Sequence, residues 1–86
     1  MADTPIHFTK HARQKFVDLA EMGFVVTEQQ VIDTVQTPEH IDRSADPPIA
    51  QKTVSENHVL RVVFAEDNSG ITIITFYPAR RSRYVP

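Results

Sequence analysis

The chain has 86 residues, 41% of them hydrophobic and 23% charged, with a net charge of −2. That length holds one domain built on one core. The absence of cysteine excludes a disulfide framework, a thiolate metal site and a thiol nucleophile. A protein that binds nucleic acid over most of its surface is basic throughout, so any such contact here has to be local. The longest apolar runs are a few residues, far short of the ~20 that span a bilayer. Met1-Ala2-Asp3-Thr4-Pro5 has no basic stretch leading into an apolar one, so no signal peptide is expected and the cytoplasm is the expected location.

Ile6-His7-Phe8 alternates as a short first strand. Thr9 offers its hydroxyl as an N-cap, and Ala12, Phe16, Leu19 and Ala20 gather on one face of a helix over residues 10–22. Gly23 stands where a left-handed cap costs nothing. Thr27 and Gln30 then fall in capping-box register, with Val26 and Val31 as a hydrophobic staple. Val31, Ile32 and Val35 form the expected buried stripe of this second helix, and Gln29, Asp33 and Thr34 face water. Thr37-Pro38 ends it.

Beyond that point the periodicity changes. Glu39–Arg43 reads either as a strand or as a loop, and Ser44-Ala45-Asp46-Pro47-Pro48 is a break. Ile49–Glu56 is a strand candidate with a turn near Glu56-Asn57. His58–Glu66 and Ile71–Tyr77 are rich in β-branched and aromatic residues around Asp67-Asn68-Ser69-Gly70, the pattern of a β-hairpin. Leu60, Val62 and Phe64 alternate with Arg61, Val63 and Ala65. Ile71, Ile73, Thr75 and Tyr77 alternate with Thr72, Ile74 and Phe76. The helices can cover only one sheet face. If Leu60, Val62 and Phe64 meet them, Arg61 lies on the open face, where Thr75 and Tyr77 join it. The expected fold is α+β: a short N-terminal strand and two helices packed on one face of a three- to four-stranded antiparallel sheet. The expected single domain spans residues 1–86, with a core over about 6–78 and a basic tail over 79–86.

The start Ile6-His7-Phe8-Thr9-Lys10-His11-Ala12, the Gly23-Phe24 break and Thr27–Val35 resemble bacterial domain-of-unknown-function family 4258. So do Leu60-Arg61-Val62-Val63 and Ile73-Ile74-Thr75-Phe76-Tyr77-Pro78. That family is similar to the BrnT toxins and, more distantly, to RelE/ParE-type toxins. The resemblance implies a strand–helix–helix–sheet domain of a toxin–antitoxin system, whose open face cleaves RNA and whose partner is a neutralising antitoxin. The matching positions are His11, Arg61, Thr75 and Tyr77. Lys15 and Met22 depart from the pattern, standing where family members carry arginine and another basic residue.

Cleavage of RNA without a metal needs a base for the 2′-hydroxyl, an acid for the departing 5′-oxygen and cations for the phosphorane charge. His11, Lys15, Arg61 and Tyr77 are the candidate catalytic residues. His11 and Lys15 are one helical turn apart, and Asp18 on the same flank could orient the imidazole. Thr75, Arg80, Arg81 and Arg83 are the candidate nucleic-acid contacts. Each has a plain structural alternative. His11 packs on the sheet edge, Lys15 is solvated, Arg61 pairs with an acid such as Glu56 or Glu66, Tyr77 completes the core, and the arginines form a solvated tail. His7, His11, His40 and His58 lack metal-ligand spacing, and no phosphate-binding glycine loop is present, so neither a metal nor a cofactor is expected. A non-catalytic protein-interaction domain with the same fold is the rival reading. Homodimerisation through an uncovered face or edge strand is compatible with both.

Overall fold

Both main helices begin where a threonine takes over a free backbone donor. In the computed structural model, which describes residues 4–84 and the side chains of 4–83, α1 covers Lys10–Glu21 and α2 covers Glu28–Gln36. The Thr9 hydroxyl accepts from Ala12 N–H at 3.0 Å and donates to the Ile74 carbonyl at 3.0 Å. One residue therefore caps α1 and ties it to the sheet. At the other end Gly23, with φ +89°, lets its own N–H reach the Ala20 carbonyl and the Phe24 N–H reach Leu19. The capping box at Thr27 and Gln30 is complete in both directions, at 3.1 and 3.0 Å.

The strands are β1 (Ile6–Phe8), β2 (His40–Asp42), β3 (Ile49–Thr53), β4 (His58–Asp67) and β5 (Gly70–Arg80), followed by a helical turn, α3 (Arg81–Tyr84). They form one five-stranded sheet in the order β1-β5-β4-β3-β2. The sheet is mixed, not the three- to four-stranded antiparallel one expected, because β1 pairs parallel to β5 while every other pair is antiparallel. The Pro5 carbonyl accepts from Ile71 N–H at 2.9 Å, and Thr9 N–H donates to Ile73 at 3.1 Å, bracketing β1 on that edge. Gly70 makes this approach possible, since a Cβ there would run into the Pro5 carbonyl. The ambiguous segment after Pro38 does form a strand. The Glu39 carboxylate accepts from the Thr53 hydroxyl at 2.8 Å and N–H at 3.2 Å, which pins β2 to β3.

A β-bulge changes the face assignment of β5. Val63 pairs with Thr75 but Phe64 pairs with Ile73, which leaves Ile74 as an extra residue. Ile71 and Ile73 consequently share the helix-bearing face with Phe76, while Thr75 and Tyr77 face outward. The core under the helices unites Ala12, Leu19, Val31 and Val35 with Ala50, Leu60, Val62, Phe64, Ile71, Ile73 and Phe76. Phe16 bridges the layers, its ring 4.7 Å from Phe76 and 5.8 Å from Phe8. On α2, Thr34 is fully buried and Ile32 only half-buried, the reverse of the expectation. The Thr34 hydroxyl donates to the Gln30 carbonyl at 2.7 Å, so it enters the core without an unsatisfied polar atom.

Residues 79–84 are ordered structure and not the expected tail. Ala79 and Arg80 complete β5, and the Arg81 N–H holds α3 to the Asn57 carbonyl at 2.8 Å. Val85 and Pro86, also assigned to that tail, lie outside the described residues, as do Met1–Asp3 of the signal-peptide expectation. Among the described residues no helix is long and apolar enough to cross a membrane.

Candidate functional site on the outer sheet face

Strand alternation that sends Leu60 and Val62 to the helices sends Arg61 to the other face. Register then places Gln51 of β3 and Tyr77 of β5 on either side of it, with His40 of β2 beyond Gln51. The centre of this polar row is buried, with Arg61 7% exposed and Gln51 3%, while Tyr77 is half-buried and His40 exposed. Arg61 Nε donates to the Tyr77 oxygen at 3.0 Å, and Nη1 donates to Gln51 Oε1 at 2.7 Å. The guanidinium carbon lies 6.0 Å from the centre of the Tyr77 ring. Its charge also reaches Asp42. That carboxyl is held below its ordinary value mainly by the Ser44 hydroxyl and N–H, opposed by desolvation, with lesser contributions from Ala45 N–H and Arg61.

A guanidinium can only donate, so the Tyr77 oxygen is the acceptor in this pair. The phenol proton is thereby directed elsewhere, and among the described residues no acceptor for it is present. Two residues along the same face, Thr75 Oγ1 meets His11 Nε2 at 3.2 Å. The imidazole is exposed and sits in the first turn of α1, which Thr9 fixes to the bulged part of β5. His11, Thr75, Tyr77 and Arg61 thus form one continuous stripe along the edge and outer face.

The remaining candidates lie apart from it. Lys15 is half-buried one turn further along α1. Asp18 accepts from Gln14 at 3.1 Å, and it is Thr75 that meets His11. Arg80 is exposed but pairs in register with His58, on the helix-bearing side. Arg81 and Arg83 are exposed on α3 at the end of β5. Gln51 went unnoticed in the sequence reading, although the alternation of Ile49, Gln51 and Thr53 with Ala50 and Lys52 carried its signal. Among the described residues no group of three or more His, Asp or Glu side chains converges as a metal site would require. Comparison with family models, with curated proteins and with solved structures found no match to this chain.

Proposed function

We propose that this chain is a toxin-like domain of a toxin–antitoxin system, and that it binds and cleaves RNA on the outer sheet face without a metal ion. The observation that carries this reading is the His11–Thr75 contact. It sets an exposed imidazole beside a strand whose next outward residue, Tyr77, has its phenol proton turned away from Arg61. In the proposed reaction His11 takes the proton of the ribose 2′-hydroxyl as that oxygen attacks phosphorus. Tyr77 donates a hydrogen bond to a phosphoryl oxygen, and the Lys15 ammonium, one helical turn from His11, gives a proton to the departing 5′-oxygen, which leaves as an alcohol. Thr75 orients the imidazole. Arg61 is a positioning residue: it fixes the phenol and adds positive charge in a poorly hydrated site. Arg81 and Arg83 attract the RNA backbone from the strand end, and Arg80, on the helix-bearing side, lies outside that path.

The test is incubation of purified protein with RNA in the presence of a chelator. Removing a proton-transfer group costs about 10²–10⁴-fold in rate. His11→Ala is expected to show that loss with the fold intact, and Tyr77→Phe a smaller one. Absence of cleavage, or cleavage indifferent to His11→Ala, overturns the mechanism.

The burial of Arg61 favours a second reading, a non-catalytic protein-interaction domain, since its guanidinium is occupied in joining three strands. That reading expects no RNA retention at low salt. Strong salt-dependent RNA binding would exclude it.

A further inference from the structure

The helix-bearing side holds a separate cleft of about 240 Å³ at the His58 end of β4, between the α1–α2 connection and the β3–β4 turn. Both walls are pinned by the backbone. The Phe24 N–H donates to the Leu19 carbonyl at 2.8 Å, and the Val54 and Ser55 N–H groups both donate to the His58 carbonyl, at 3.1 and 3.3 Å. Phe24, Val26, Val54, Leu60 and Pro78 supply apolar lining, and the Phe24 ring stands edge-on to the His58 imidazole at 5.0 Å. A water in the liquid takes about 30 Å³, so this is the space of about eight waters and matches a molecule of roughly ten non-hydrogen atoms.

Gln30, Ser55 and His58 share the lining. Gln30 Oε1 accepts from the Thr27 N–H at 3.0 Å, which fixes the amide: its oxygen is turned to the helix cap and its NH2 is the end left over. Among the described residues no acceptor meets that NH2. The Ser55 hydroxyl lies 3.5 Å from His58 Nδ1, and when it donates there the imidazole carries its proton on Nε2, a second donor. Among the described residues that line the cleft there is no Asp, Glu, Lys or Arg, so the one charge these walls can take is positive, on His58. A cation would find no carboxylate here, and a plain hydrocarbon would leave the Gln30 donors without an acceptor. Apolar walls with surplus donors fit a ligand that has an apolar body and an acceptor head.

We propose that this cleft binds a free small carboxylic acid, its ring or branched chain against Phe24, Val26 and Leu60 and its carboxylate on Gln30 Nε2 and His58 Nε2. Gln30 then caps α2 with its oxygen and holds the ligand with its nitrogen. Leu60 and Pro78 belong to the helix-bearing side of the sheet, opposite Thr75 and Tyr77, so this site and the RNA reading fail separately.

The probe is phenylacetate, titrated into the isotope-labelled full chain and followed by amide chemical shifts. Saturable shifts at Phe24, Val26, Ser55 and His58 are expected, with a dissociation constant of about 10 μM to 1 mM for a ligand of this size. Phenethylamine, the same body with a cationic head, should not produce them. Gln30→Glu keeps an oxygen for the Thr27 N–H, so the capping box and the fold stay, but it sets an anion where the NH2 stood. Phenylacetate affinity should then fall at least ~10-fold. His58→Phe keeps a ring against Phe24 without the nitrogens and should also weaken binding. No saturable shift by about 10 mM phenylacetate, equal binding of the amine, or an affinity unchanged by Gln30→Glu overturns the proposal.

Discussion

The two faces of the sheet across β3, β4 and β5 are built from the same strands by opposite means. The inner face, with Leu60, Val62, Phe64, Ile73 and Phe76, is held by contact area under α1 and α2. The outer face buries Arg61 and Gln51 to a similar degree, but does so through directed bonds to particular partners. Area tolerates small shifts and is lost in proportion to the atoms removed. A directed polar row is lost in one step when its central member goes, because the groups left behind stay buried. The comparison shows one short chain burying the two faces of a sheet by two different kinds of interaction.

Mutations that empty the inner layer should have the largest effect. Phe76→Ala removes a fully buried ring that touches Phe16, and the expected cost is about 3–5 kcal/mol by denaturant unfolding. Arg61→Ala, on the outer face, is expected to cost about 1–3 kcal/mol, since Gln51 Oε1 loses a buried donor. Replacing both ends of that contact, as Arg61→Met with Gln51→Leu, should cost less than the two single changes added together. Simple additivity would break the contrast between the faces. Away from both faces, Thr27→Ala removes one half of the capping box and should cost about 1 kcal/mol.

The smallest expected effect is in the hairpin turn. The Asp67 carboxyl is held below its ordinary 3.8 first by the Ser69 hydroxyl and then by Ser69 N–H. A carboxyl depressed in the folded state stabilises it above the unfolded value, and that contribution fades as pH falls through the lower folded value. Ser69→Ala should therefore lower stability slightly at neutral pH and flatten its loss through that acid window, so that the two proteins converge at the lowest pH. Acid titrations of the two proteins that superimpose would remove the hydroxyl from this role.

Local features of the fold were legible in the sequence. Thr9, Gly23, Thr27 and Gln30 act on partners within a few positions, and all of them cap as their spacing indicated. That Arg61 and Tyr77 share the outer face was also expected, but their direct pairing depends on the bulge, since the register at the hairpin loop alone would set Arg61 against Phe76. What escaped depends on distant partners or on one extra residue. The parallel docking of β1 requires Ile71–Ile73, which no local pattern announces. The bulge at Ile74 shifts the phase of a strand whose composition alternates smoothly on paper. Thr34 was assigned to water by its hydroxyl, yet a helix supplies that hydroxyl with an acceptor one turn back. At the candidate site His11 was picked for its chemistry, but its partner Thr75 is 64 residues away and could not be read from spacing.

The parallel edge strand has a consequence for how the chain is made. Thr9 anchors α1 to the Ile74 carbonyl, 65 positions later. During synthesis β1 and α1 leave the ribosome long before the strand that completes them exists, and Phe8 and Phe16 have no Phe76 to pack on. The hairpin can close by itself from local contacts, whereas the first quarter of the protein must wait and then return to it. β5, which follows the other four strands of this sheet in the chain, is the surface on which β1 and α1 assemble. A ribosome stalled before β5 would hold a chain whose N-terminal aromatic residues are still open to chaperones and to other chains.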